Sequence, residues 1–205
     1  YNYRDKLIDT ILDERTEDGG WTHTGDTADV DMTAMAIQAL APYYDEAHPE
    51  VKSAIDTALT LLSGMQENDG GFASFSTPNS ESAAQVVVAL SALRLDANTD
   101  SRFVKNGYSV LENLLSYEQE DGSFYHLTDG SSGNNQMSSE QGTYALVAYD
   151  RYVKRTNSLY DMTDVAMQSD KDKAATVQKL IAALPSTVKL TDKSQIEAAR
   201  SMYDS

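Results

Sequence analysis

Asp18-Gly19-Gly20-Trp21, Asp69-Gly70-Gly71-Phe72 and Asp121-Gly122-Ser123-Phe124 are three copies of one phrase, an acidic glycine turn ending in an aromatic. The aromatic recurs after 51 and then 52 residues. Regular spacing of this length is the signature of a repeat architecture, in which each unit buries its apolar face against the next. Before each turn runs an amphipathic stretch with one apolar stripe: Leu7, Ile8, Ile11 and Leu12; Ala54, Ala58, Leu61 and Leu62; Tyr108, Leu111, Leu114 and Leu115. After each turn comes a second helix, Asp31 to Tyr43, Glu81 to Leu95 and Glu140 to Val153, apolar on more than one side. The small residues Ala34, Ala36, Ala39, Ala83, Ala84, Ala89, Ala145 and Ala148 permit close packing there. The first kind of helix is therefore expected outside and half exposed, the second inside.

Composition narrows the functional classes. With 205 residues, 40% of them hydrophobic, the chain can bury a sizeable core. A formal net charge of -16 argues against nucleic acid and against an anionic membrane surface as partners. No apolar run reaches the roughly 20 residues that span a bilayer. Residues Tyr1 to Lys6 do not read as a signal peptide, so the chain is either cytosolic or an excised piece of an exported protein. The absence of cysteine excludes disulfides, thiolate metal sites and cysteine nucleophiles.

Aligning the units on the aromatic and on Ala39, Ala89 and Ala148 makes Asp31, Glu81 and Glu140 equivalent. Each is placed in the first turn of an inner helix, where it is expected to cap unpaired N–H groups and meet the positive end of the helix dipole. These acids, with Tyr144, are the candidate ligand-binding residues, and Asp31 is the candidate acid catalyst. Tyr43, Tyr44, Tyr149 and Tyr152 share the inner helices with Tyr144, as core residues or as rings at the mouth. His23-x-x-Asp26 and His126-x-x-Asp129 follow the aromatic in units one and three and are the donors a transition metal would use. The loop Asp129 to Asn135 is rich in oxygen donors, and Asp129 and Asn134 are its candidate calcium ligands. Neither set is complete, so no cofactor is expected.

Composition changes near Asp164, which divides the chain into residues 1–164 and 165–205. The second part reads as a helix from Lys171 to Leu184, a stop at Pro185, an extended link through Val188 and Leu190, and a further helix from Lys193 to Tyr203. It is expected to be the start of a longer module.

The three units resemble the repeats of the α/α toroid superfamily of squalene cyclases and protein prenyltransferases. The glutamine-to-tryptophan motif of that superfamily is similar to Leu62-x3-Gln66-x3-Gly70-Gly71-Phe72 and to Leu115-x3-Gln119-x2-Gly122-Ser123-Phe124; unit one has Arg15 and Thr16 in place of the glutamine. The resemblance implies an all-α fold of three helical hairpins in a partial toroid, with a concave face open to a small molecule, glycan or protein. A closed ring takes about six hairpins. Asp29-Val30-Asp31-Met32-Thr33-Ala34 resembles the Asp-x-Asp-Asp-Thr-Ala motif of class II terpene cyclases, which would make Asp31 the proton donor, although Met32 replaces the last Asp. Val30 to Ala36 is also similar to the corresponding stretch of the cobalamin carriers, which implies a corrinoid ligand. The zinc site of protein prenyltransferases and the thioester of complement-type domains both need a cysteine; Ser138-Ser139-Glu140-Gln141 has none. Residues Ala175 to Ser205 resemble a helical repeat of Gram-positive surface proteins, which implies an extracellular location. The expected function is a non-catalytic binding or scaffold domain of a cell-surface protein. The alternatives are a carrier of the cobalamin type and a terpene-cyclase-like or carbohydrate-active enzyme.

Overall fold

The computed structural model describes residues 3–132, 136–165, 170–184, 189 and 192–203. The chain divides into two compact units, Tyr1–Met162 and Thr163–Ser205. The larger alternates three outer helices with three inner ones, α1 (Tyr3–Asp13) then α2 (Val30–Leu40), α3 (Pro49–Met65) then α4 (Ser80–Ala92), and α5 (Val110–Leu115) then α6 (Gln136–Val153), and the inner helices α2 and α4 pack against the outer helices that follow them, α3 and α5. A two-residue hairpin, β1 (Ala73–Ser74) with β2 (Thr77–Pro78), precedes α4, and another, β3 (Val104–Lys105) with β4 (Tyr108–Ser109), precedes α5. The smaller unit pairs α7 (Asp170–Ala182) with α8 (Lys193–Tyr203), with Ala199 buried. Residues Pro185, Val188 and Leu190, expected to form the link, lie outside the described residues.

The three acidic turns share one hydrogen-bond pattern. The N–H groups of Thr16, Glu67 and Gln119 donate to the carbonyls of Gly20, Gly71 and Ser123, and those of Gly19, Gly70 and Gly122 donate back to Thr16, Glu67 and Gln119. The first glycine of each turn sits at a φ of +93°, +83° or +82°, a left-handed conformation that favours glycine. Trp21, Phe72 and Phe124 are thereby driven into the core. Trp21 N–H donates to Thr33 Oγ1 at 3.0 Å and Phe124 N–H to Ser139 Oγ at 3.0 Å, which ties the first and third turns to their inner helices.

Inner helices pack side by side in the order α2, α4, α6, with α3 and α5 behind them. Twelve of the thirteen residues of α4 are buried, because α4 alone has an inner neighbour on both sides. On α2, at the end of the row, Ala39 is exposed, whereas Ala89 and Ala145 are fully buried. The outer layer departs from the expected stripes at both ends. No residue of α1 is buried, and Leu7 is 63% exposed. The third outer helix is only six residues long; Tyr108 lies in β4 with 57% exposure, and Leu115 is exposed too. The Ser109–Glu112 capping box starts α5 at Val110 and so cuts off the expected first turn.

Adding a methyl group at Gly142 would place Cβ 2.6 Å from the Phe124 ring, whereas one at Gly64 meets nothing within 4 Å. Gly142→Ala is expected to lower stability by about 1–3 kcal/mol through overpacking. Gly64→Ala, on an exposed helical position, is expected to raise it by up to about 1 kcal/mol. Thermal melts of the two variants check the close approach of α6 to the third turn.

Candidate functional site

The starts of α2 and α4 carry a half-buried acid, Asp31, and a buried one, Glu81. The side chains of Asp29 and Asn79 cap α2 and α4, accepting from Met32 N–H at 2.7 Å and Ser82 N–H at 2.9 Å. Asp31 and Glu81, two residues further on, are therefore not the caps that sequence reasoning expects, and their carboxylates turn to side chains instead. Asp31 Oδ2 accepts from Ser74 Oγ at 3.0 Å. Its Oδ1 is buried and meets no hydrogen-bond donor at ordinary geometry, although the Ser82 hydroxyl lies close enough to favour its charged form. Glu81 Oε1 accepts from Ser138 Oγ at 2.6 Å, and its Oε2 from Ser80 Oγ at 3.2 Å. His126 Nδ1 lies 2.7 Å from the same Oε2.

Glu140 does not join them. Asp29 N–H donates to the carbonyl of Trp21, Asn79 N–H to that of Phe72, and Ser139 Oγ takes the place of Thr33 Oγ1 under Phe124. This register makes Met137, not Glu140, the counterpart of Asp31 and Glu81, and Ala145, not Ala148, the counterpart of Ala39 and Ala89. The third connection is three residues longer than the first, 15 against 12 from the aromatic to the hydroxyl residue, which is what displaced the sequence alignment. Glu140 stands exposed one turn into α6. A similar slip separates the two glutamines of the repeat motif. Gln66 Nε2 donates to the carbonyls of Gly70 at 2.8 Å and Phe103 at 2.9 Å, whereas the turn pattern puts Glu118, not Gln119, at the equivalent place.

Tyr144 belongs to a polar row that crosses all three inner helices. Gln38 Nε2 donates to Gln85 Oε1 at 2.9 Å, and Gln85 Nε2 donates to Gln141 Oε1 at 3.0 Å and to the Tyr144 hydroxyl. Tyr160, from the segment after α6, donates its hydroxyl to Gln38 Oε1 at 3.3 Å. Burial pushes the Tyr144 phenol up to about 12, so it is neutral at physiological pH. Sequence reasoning missed Gln38, Gln85 and Gln141. The signal was there as Glu81-x3-Gln85 and Gln141-x2-Tyr144, both at one-turn spacing on one helix face.

The remaining candidates do not converge. His23, Asp26 and Asp129 are exposed, and Asn134 lies outside the described residues. Asp129 Oδ1 accepts from Ser131 N–H at 2.9 Å, and the bonding from Ser131 holds its carboxyl below the ordinary value. Of the other tyrosines, Tyr44 donates to Asp56 Oδ1 at 2.6 Å and Tyr149 to Asp96 Oδ1 at 3.0 Å. Among the described residues no three His, Asp or Glu side chains gather as a metal site requires. A hollow of about 600 Å³ lined by Arg94, Asp96, Tyr152, Val153 and Arg155 lies at the opposite ends of the inner helices from the acids.

Burial, ahead of the neighbouring charges of Asp29 and Glu81, raises the Asp31 carboxyl above its ordinary 3.8, while the Ser82 and Ser74 hydroxyls oppose the rise. A raised value favours the protonated form in the fold. Its contribution is complete below the ordinary carboxylate value and is lost as pH rises through the folded one. Asp31→Asn, which keeps a neutral side chain, should therefore melt above the parent at neutral pH, with the gain vanishing near pH 3. Melting curves across that range check the sign; a variant less stable at every pH would contradict it.

A family model described as "Prenyltransferase alpha-alpha toroid domain" matches residues 1–124 and 45–158. No curated protein and no solved structure matches the chain. No helix among the described residues is long and apolar enough to cross a membrane. The matched residues contain α1 to α6 and the polar row between them, and the chain belongs to the prenyltransferase α-α toroid domain family.

Proposed function

We propose that this chain is a non-catalytic binding or scaffold domain of an exported, cell-surface protein, and that the N-terminal ends of its inner helices present the binding face. The observation that carries the reading is the state of the acids. Both oxygens of Glu81 are engaged by Ser138, Ser80 and His126, and Asp31 Oδ2 accepts from the Ser74 hydroxyl while its other oxygen is buried. A general acid needs a proton-bearing oxygen aimed at the reacting atom. Here three of the four oxygens are engaged by side chains of the fold, and the fourth, Asp31 Oδ1, is buried. Glutamine amides and a neutral tyrosine, which recognise ligands without reacting with them, form the row beside them. The cell-surface setting is supported by the similarity of Ala175 to Ser205 to a surface-protein repeat and by a strongly acidic, cysteine-free composition.

The experiment combines binding with turnover. Chain incubated with squalene or geranylgeranyl diphosphate is expected to give no cyclised or transferred product, and titration with cobalamin to leave the corrinoid spectrum unchanged. Product that disappears in Asp31→Asn would make the chain a cyclase-like enzyme instead. A saturable spectral shift that weakens in Tyr144→Phe or Gln85→Leu would make it a carrier. Fractionation of the producing cells is expected to place the protein in the cell envelope.

A further inference from the structure

The β1–β2 hairpin ends in a two-residue turn, Phe75-Ser76, in which both residues have positive φ, 49° and 64°. The β3–β4 hairpin makes the same turn with Asn106-Gly107, at 52° and 90°. Asparagine and glycine are the residues this turn favours, because a Cβ beyond a short polar side chain is crowded in the left-handed region. The chain thus builds the turn once with the favoured pair and once with a bulky aromatic. Nothing in the fold uses the ring, since Phe75 is 95% exposed. The hairpin is nevertheless held in place: Ser74 donates to Asp31, and β1 lies against both α2 and α4. Met35, one turn beyond Asp31 on α2, is 48% exposed on the same side.

The surroundings decide what the ring can meet. The three connections from outer to inner helix, residues 16–30, 66–80 and 116–132, contain ten carboxylates and no lysine or arginine. A field of one sign attracts the opposite charge and repels nucleic acid and anionic lipid. Phenylalanine has no hydrogen-bonding group, so it anchors through an apolar side chain. Resting on the binding reading above, we infer that Phe75 is the anchor of a docking surface for a lysine- or arginine-rich polypeptide segment bearing apolar side chains. The aromatic tip supplies the contact and the carboxylates supply orientation and association rate.

Calorimetric titration of the whole chain with a 14-residue peptide of alternating lysine and leucine tests this, alongside an all-lysine peptide, a glutamate-leucine peptide and a neutral oligosaccharide. The lysine-leucine peptide is expected to bind, and to lose at least tenfold in affinity when low salt is replaced by high salt. It is expected to lose at least tenfold again in Phe75→Asn, and similarly in Phe75→Ala. Phe75→Asn suits the turn and is expected to melt no lower than the parent, so its loss of binding cannot come from misfolding. Equal binding by Phe75→Asn, equal binding of the all-lysine peptide, or preference for the acidic peptide or the oligosaccharide would overturn the inference. The cobalamin and turnover assays are independent of Phe75, so their outcomes decide the broader reading separately.

Discussion

Everything in the larger unit depends on seating an aromatic ring under the start of an inner helix at a separation that leaves no room for a Cβ. In the first repeat the glycine is in the turn: a methyl at Gly20 would lie 2.6 Å from Ala28 Cβ and 2.7 Å from Thr33 Oγ1. In the second it is again in the turn, where Gly71 faces the Asn113 amide of the outer helix α5 rather than the inner helix, and in the third it lies on the helix, where Gly142 faces the Phe124 ring. The aromatic N–H then bonds the helix hydroxyl in repeats one and three. The constraint positions the helix starts, and with them Asp31, Glu81 and the hairpin that carries Phe75.

Three repeats in a row have one interior member and two ends. Helix α4 pays no attention to amphipathicity because every side of it is covered, and its Gln85 can bond left to Gln38 and right to Gln141 and Tyr144. Buried amides of this kind are stable only when all are partnered, so the row also fixes the register of the three helices against one another. At the ends of the row the same positions reach solvent, as Met35 and Ala39 show. The acids at the helix starts obey the same logic: Glu81, between two neighbours, is fully engaged, whereas Asp31, at the edge, leaves an oxygen without a donor at ordinary geometry.

The sequence made the repeats legible because turn chemistry is local. Glycine at positive φ and a following aromatic mark each hinge without reference to anything distant. What failed was whatever depended on loop length or on another repeat. Counting from the helix alanines matches Glu140 to Glu81, whereas three additional residues in the third connection, relative to the first, make Met137 the counterpart. Tyr108 and Leu115 fit a helical stripe, but the capping box at Ser109 begins the helix later than periodicity indicates. Leu7 fits one too, and is exposed. The pairing of His126 with Glu81 spans 45 residues and two repeats, so no spacing rule could have found it.

The central claim is that binding occurs at the N-terminal ends of the inner helices, where the acids and the exposed ring meet. Backbone amide shifts of isotopically labelled chain, followed during titration with the lysine-leucine peptide, locate the contact directly. The account predicts shifts concentrated at Asp31, Met35 and the hairpin from Ala73 to Pro78. Shifts confined to the opposite ends, around Arg94 and Arg155, or spread along α1 and α3, would contradict it.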